Sequence, residues 1–391
     1  MRQSRESNSD KRIKVMRIIA RMNVGGPAVQ VSGLMRGLSE TDFDHRLYTG
    51  YCAEDEADYI KEQAPDVQAI QLDGLGRKVN PRADFLILFQ LIKEIRTFKP
   101  DVIHTHTAKA GVIGRLASIL SLHPSKRVHT FHGHLLSGYF NPLITNLVIF
   151  IEKILALKTN ILVSVGEKVR DELLAKKIGE ISKYRIFPPG LALKELVDHE
   201  SALKILGLES NFLYISFIGR VTQIKRPDRF LDMVEIIAKQ STNIKFLVAG
   251  GGDLLDECMK SAKQRSLPVI FLGWRSDIEN VLSASDIVVL TSDNEGTPLS
   301  LIQAGMAGIP VVSTDVGSVP EVVLHGVTGI VTPIDIQKIA DALEKLSFDK
   351  DLRTKLGAAA QDFTLANFGV KRLVRDHEEL YQRLLINPAR F

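Results

Sequence analysis

Short apolar runs recur along this chain. Each ends in glycine or a polar loop, and most lead into a stretch with apolar residues at helical spacing. In the first half, residues 14–20, 45–51, 67–72, 102–105, 127–131, 161–164 and 184–187 read as strands. Residues 85–98 and 143–157 carry the helical period. The second half restarts the pattern, with strands at 212–218, 244–249, 269–272, 286–290 and 309–312. Helices are predicted at 228–239, 254–265 and 299–307, and residues 336–387 are helical in pattern throughout. Strands that alternate with helices predict parallel sheets covered on both faces. Because the pattern runs twice, it predicts two doubly wound, Rossmann-like α/β domains, 14–190 and 191–370, hinged near Pro188-Pro189-Gly190. Residues 1–13 are polar, lack the apolar core of a signal peptide, and read as a disordered leader.

The chemistry gathers where strands end, which is where open parallel sheets bind ligands. The run 286–290 breaks into a polar loop ending at Glu295 and Gly296, and Pro298 suits the first turn of the helix that follows. That helix start offers unpaired N–H groups and a positive dipole end to a phosphate. Gln303 lies eight residues after Glu295, one turn below the helix start. Earlier, Gly219, Arg220 and Lys225 bracket a loop before another helix. An arginine fork and a lysine point charge there suit a diphosphate. Gly25-Gly26 and Gly250-Gly251-Gly252 allow close backbone approach to a ligand. A Gly-x-Gly-x-x-Gly turn is absent, which argues against a nicotinamide oxidoreductase. His104 and His106 share one face of a strand. Zinc would need a third ligand that this loop lacks. His104 reads as a core histidine, and His106, at the strand end, as the site candidate. The next strand ends in His132-Gly133-His134.

Several of these segments together resemble retaining glycosyltransferases of family 4. Glu295, Gly296, Pro298 and Ala304 match the family's E-G-x-P-x-x-x-x-E-A signature, with Gln303 standing where the family has its second Glu. Gly219, Arg220 and Lys225 match G-R-x-x-x-x-K, and Thr130, His132 and Gly133 match T-x-H-G. Asp101, His104 and His106 fall in a P-D-x-x-H-x-H segment, and Asp315 and Gly317 in T-D-x-G. The resemblance implies two Rossmann-like domains facing a cleft (GT-B), with the last helix, 371–391, crossing back to the first domain. It implies a nucleotide-sugar donor, most commonly a uridine diphosphate sugar. Arg220 and Lys225 would hold its diphosphate, with Gly219 and the segment Gly296, Thr297, Pro298 and Leu299. Gly273 and Trp274 would lie by the base, and Gln303 by the ribose, with one acceptor kept and the charge lost. Gly317 and Ser318 would line the phosphate pocket. Gly25 and Gly26 would lie near donor phosphates and acceptor. Glu295 and His132 would face the transferred sugar, His132 as a group able to bond a hydroxyl and to titrate near working pH. Transfer would go to a lipid-linked or glycan acceptor, with retention and with no metal or cofactor. Two rivals remain open. A nucleotide-sugar epimerase would act with no acceptor present, and a non-enzymatic sugar- or lipid-binding module would release no nucleotide.

Composition changes this picture in two places. The 391 residues are 45% apolar and 25% charged, which is ordinary for a globular chain of two or three domains. Cys52 and Cys258 give neither a disulfide framework nor metal-ligand spacing, which fits a cytoplasmic location. The net charge of +4 conceals an asymmetry: residues 1–190 hold 28 Lys and Arg against 20 Asp and Glu, a balance of +8. A basic first half suits an anionic membrane face as well as scattered surface lysines. No nucleic-acid partner is expected. The apolar segment 143–157 is too short and too charged to span a bilayer. It reads as a helix packed on the sheet, with an interfacial helix as the alternative.

Overall fold

The computed structural model describes residues 12–54, 56–76, 79–133 and 142–386. Most of the expected leader and His134 lie outside the described residues. The chain divides into two compact units, one running to Gly190 and resuming at Val370, the other Leu191–Gly369.

Among the described residues the first unit holds seven strands: β1 (Ile13–Arg21), β2 (Phe43–Gly50), β3 (Ile70–Gln71), β4 (Val102–His106), β5 (Lys126–Phe131), β6 (Ile161–Ser164) and β7 (Tyr184–Ile186). They form one parallel sheet in the order β3-β2-β1-β4-β5-β6-β7. Its helices are α1 (Gly26–Gly37), α2 (Tyr59–Gln63), α3 (Pro81–Phe98), α4 (Ala108–Leu120), α5 (Pro142–Leu157) and α6 (Glu167–Ala175). The second unit holds α7 (His199–Leu206), α8 (Pro227–Gln240), α9 (Leu255–Gln264), α10 (Ile278–Ser283), α11 (Leu299–Met306), α12 (Val319–Val322), α13 (Ile336–Phe348) and α14 (Lys350–Phe368). Its strands are β8 (Leu213–Ile218), β9 (Ile244–Ala249), β10 (Val269–Gly273), β11 (Ile287–Leu290), β12 (Val311–Thr314) and β13 (Gly329–Thr332). They form a parallel sheet in the order β10-β9-β8-β11-β12-β13. The last helix, α15 (Val370–Ile386), belongs to the first unit.

Burial on both faces explains the strand sequences. From β1, Met16, Ile18 and Ala20 pack with Leu91 and Ile95 of α3 and Ala110 and Ile113 of α4. Val15 packs the other way, with Leu34 of α1 and Leu373, Leu380 and Tyr381 of α15. Such strands read as continuous apolar runs, not as an alternation. The C-terminal helix therefore covers one face of the N-terminal sheet. It lies close to α1 because Gly37 has no side chain: a Cβ there would sit 2.2 Å from Cγ2 of Val374. The strand β1 starts at Ile13, so the expected leader is shorter by one described residue and a strand residue. Pro298 precedes α11 instead of lying inside it, with ψ 101° in the extended region. Glu152, the charge inside the apolar segment, is fully buried in a bidentate pair with Arg115 of α4, both oxygens at 2.7 Å. Among the described residues no helix is long and apolar enough to cross a membrane.

Candidate active site

In the second unit the strand order reverses between β8 and β11, so the loops leaving their carboxyl ends lie side by side. A set of bonds clamps them together. Thr291 Oγ1 donates to the carbonyls of Lys225 and Arg226, at 3.0 and 3.2 Å. The Asp293 amide donates to the Ile224 carbonyl at 2.9 Å. Arg229, buried on α8, donates to the Thr291 carbonyl at 2.6 Å and to Asp293 at 2.7 Å. Arg226 spans Asp228 and Asp293. The clamp brings Lys225 to Glu295: Nζ lies 2.5 Å from Oε1, and Ser292 Oγ donates to the same oxygen at 2.5 Å. Glu295 is 8% exposed.

The backbone of Glu295 is fixed from the β12 side. The Ser318 amide donates to its carbonyl at 3.1 Å, and Thr314 Oγ1 donates to the Ser292 carbonyl at 2.8 Å. Gly317 has φ +53°, and a Cβ there would lie 1.7 Å from the Glu295 carbonyl oxygen. Gly317 and Ser318, expected to line a phosphate pocket, thus hold the Glu295 loop. Gly317→Ala is expected to cost about 2–5 kcal/mol, strain and overpacking combined, and to lower transfer activity. Gly326→Ala is the control. Its φ is also positive, +74°, but a Cβ there meets nothing within 4 Å. It should cost about 1–2 kcal/mol by urea unfolding.

The other expected residues of the unit lie on the strand ends and the helix start that follow. Gly219 and Arg220 follow β8, and the Arg220 side chain is exposed, with no hydrogen bond or ion pair among the described residues. Gly296, Thr297 and Pro298 run from Glu295 into α11, where Leu299 begins the helix with no side-chain cap. The amides of Leu299 and Ser300 thus keep no intrahelical partner. Gln303 is half-buried on the same helix. Gly273 and Trp274 stand further off, at the end of edge strand β10, joined to β8 through Gly250, whose amide donates to the Gly273 carbonyl at 2.8 Å. Trp274 is 47% exposed.

Gly25, Gly26 and His132 belong to the first unit. Gly25 caps α1, which Gly26 begins, after β1. A Cβ at Gly25 would meet nothing nearer than 4.0 Å, so internal packing does not require glycine there. His106 ends β4 and is wholly buried, not open as expected for a site residue. Its Nδ1 lies 2.9 Å from Nε2 of half-buried His132. Beneath them Arg17, fully buried on β1, donates to Tyr381 Oη of α15 at 3.1 Å. The Tyr381 hydroxyl lies 2.6 Å from His104 Nδ1, and His104 Nε2 lies 2.7 Å from Thr130 Oγ1. Since Arg17 can only donate, Tyr381 donates on to Nδ1, and His104 carries its proton on Nε2. The rings of His104 and His106 stack at 4.3 Å, and those of His104 and His377 at 5.6 Å. Burial pushes His104 and His106 well below the ordinary imidazole value and His132 and His377 down to about 3. His132 is therefore a neutral hydrogen-bonding group, and it does not titrate near neutrality as expected. Thr107, next to His106, holds φ +65°, a conformation costly for a β-branched residue, with its Oγ1 accepting from the Ala20 amide at 3.2 Å. No sequence signal marked Thr107, Arg17, Ser292 or Tyr381. Among the described residues no group of three or more His, Cys, Asp and Glu side chains is arranged for a metal ion.

Two doubly wound units, the second carrying an arginine, a paired lysine and an uncapped helix start at its switch point, define a class of nucleotide-using transferase folds. Comparison with known proteins places the chain within it. Residues 24–195 match the family model Glycosyltransferase Family 4, and residues 198–363 match Glycosyl transferases group 1. The chain belongs to glycosyltransferase family 4, with the GT-B fold, and is a glycosyltransferase. It is 26% identical over 341 residues to UDP-Gal:alpha-D-GlcNAc-diphosphoundecaprenol alpha-1,3-galactosyltransferase of Escherichia coli, covering 84% of this chain and 87% of that protein. It is 23% identical over 360 residues to the capsular polysaccharide biosynthesis glycosyltransferase CapM of Staphylococcus aureus, covering 84% and 93%. Among solved structures, Anabaena HepE in complex with UDP superposes with TM-score 0.81 at 19% identity, covering 95% of this chain and 100% of that one.

Proposed function

We propose that this enzyme moves a sugar from a uridine diphosphate sugar to a lipid-linked or glycan acceptor, with retention at the anomeric carbon. The observation that carries this reading is the Lys225–Glu295 pair, with exposed Arg220 on the loop that carries Lys225 and the uncapped start of α11 following Glu295 in the chain. Arg220, Lys225 and the amides of Leu299 and Ser300 together oppose the charge that grows on a departing diphosphate, and stabilisation of that kind is commonly the largest catalytic term. Lys225 stays oriented by Glu295 until the donor arrives. Glu295 then faces the sugar. The names of the relatives support the donor and acceptor classes: one uses UDP-galactose and a diphosphoundecaprenol-linked sugar, and another serves capsule synthesis.

The positive charge for the leaving group is supplied here by side chains and a helix end, so transfer should persist in excess chelator. Gln303→Glu should tighten UDP binding about fivefold, because a charged acceptor forms a stronger bond to a ribose hydroxyl than an amide does. Isothermal titration with UDP measures it. The reading itself is tested by thermal-shift screening of UDP, GDP and ADP, followed by assays of UDP-hexoses with a polyprenyl-diphosphate-linked amino sugar. UDP release that depends on the acceptor supports it. Release with no transfer product, or stabilisation by none of the nucleotides, overturns it.

A further inference from the structure

The helix α5 is apolar on two opposite faces. One packs on the sheet through Leu155 and Ala156 and is tied to α4 by Glu152 and Arg115. The other exposes Ile144 (45%), Leu147 (57%), Phe150 (60%), Ile154 (49%) and Leu157 (71%). At helical spacing these five fall within an arc of about 140° and a length of about 20 Å. A surface helix normally turns polar residues outward. One exposed leucine is ordinary, whereas a continuous stripe marks a binding surface. Neighbouring α4 adds exposed Leu116 and Leu120.

The stripe ends on a cationic pocket. Leu157 is one wall, and Lys126, Arg127, Lys158 and Lys183 line it together with neutral residues and no acidic side chain. Two of these cations are fixed at the end of α5. Arg127 Nε donates to the Lys158 carbonyl, at 2.5 Å, and Lys183 Nζ to the carbonyls of Ala156 and Leu157, at 2.9 and 3.1 Å. The side chains of Lys126 and Lys158 have no hydrogen bond or ion pair among the described residues. An apolar stripe alone fits many partners. A stripe that runs into four uncompensated cations fits a surface with an apolar interior and anionic headgroups. A second copy meeting this face with its own would add four more cations and no carboxylate from the pocket.

We propose that the first unit docks on an anionic phospholipid bilayer, with α5 lying in the interface and the Lys126–Arg127–Lys158–Lys183 pocket holding a lipid phosphate. The proposal depends on this surface alone and not on the donor or acceptor assigned above. Its test is flotation of the full chain with vesicles of phosphatidylcholine, or of phosphatidylcholine mixed with phosphatidylglycerol. Wild type should bind the anionic vesicles at least tenfold more tightly than the neutral ones, and less in high salt. Lys126→Ala with Lys158→Ala should lose about tenfold or more on anionic vesicles. Leu147→Ser with Phe150→Ser and Ile154→Ser should float with neither vesicle. All these side chains are outside the core, so circular dichroism and melting should match wild type, and transfer to a water-soluble acceptor should be unchanged. No flotation of wild type with anionic vesicles would overturn the proposal. So would full binding by the stripe variant, or a wild-type dimer in light scattering that the stripe variant abolishes.

Discussion

Replacing Arg220 with alanine is expected to lower kcat by about 10²–10³-fold and to leave the melting temperature where it was. The two halves of that result have separate causes. On the proposed reading the rate falls because the arginine fork meets the leaving diphosphate. Stability holds because the side chain is exposed and bonds nothing among the described residues, so nothing in the folded chain misses it. Arg220→Lys should recover only part of the rate, since a point charge cannot make a bidentate bond. Lys225→Ala should cost a similar factor in rate but also stability, by about 1–3 kcal/mol. It takes from the Glu295 carboxylate, 8% exposed, the ion-pair partner that Lys225 provides. Adding Glu295→Gln to Lys225→Ala should restore much of the stability and none of the rate. Steady-state kinetics and urea unfolding on wild type, Lys225→Ala, Glu295→Gln and the double variant close the cycle. Equal stability loss in Arg220→Ala and Lys225→Ala would mean that Arg220 has a structural partner and that the division of roles is wrong.

The strands were legible because a parallel sheet buries both faces of each, so β6, at 161–164, and β9, at 244–249, read as bare apolar runs. Boundaries moved by up to four residues: the helix read at 85–98 starts at Pro81, behind the Asn80 cap, and the strand read at 67–72 is only Ile70–Gln71. The loops of the second unit were legible for another reason: Glu295, Arg220 and Lys225 each follow a strand within a few residues, so local order and a family pattern find them. What joins them was not legible. Ser292 and Arg229 look like ordinary loop and helix residues until the fold brings the β8 and β11 loops together. The histidine cluster lies further beyond sequence reading. Arg17 and Tyr381 are 364 positions apart, and His104 and Tyr381 are 277 apart. No periodicity along the chain records that a tail helix returns to roof the first sheet; only the family resemblance implied that the last helix crosses back, and it named none of these contacts. His106 looked like a site residue because it ends a strand. It is buried because the rings of His104 and His132 pack against it.

Lowering the pH from about 7.5 to about 5.5 is expected to unfold the first unit well before the second. His104, His106, His129 and His377 are each 1% exposed or less. Burial holds all four far below the ordinary imidazole value, and nearby positive groups press the same way: Arg17 on three of them, Arg115 on His129 and Arg372 on His377. The folded unit therefore binds fewer protons than the unfolded chain, whose imidazoles titrate near 6.5. Stability is complete above that value and falls as the pH drops below it. Each histidine contributes up to about 1.4 kcal/mol per pH unit, so the four together cost on the order of 5 kcal/mol by pH 5.5. That is comparable with the whole stability of a typical domain. The second unit holds only His199 and His325, both exposed, and has no such liability. Calorimetry across this range should show the low-temperature transition moving down steeply as pH falls while the other stays nearly fixed. Hydrogen exchange should assign the mobile transition to β4, β5 and α15. His377→Asn should flatten the slope by about a sixth, because His45, held down at about 4, and His132, at about 3, exclude protons beside these four. A melting profile with no pH dependence between these values would mean that the imidazoles are accessible to protons in the folded chain, and the neutral, hydrogen-bonding role given to His132 would fall with it.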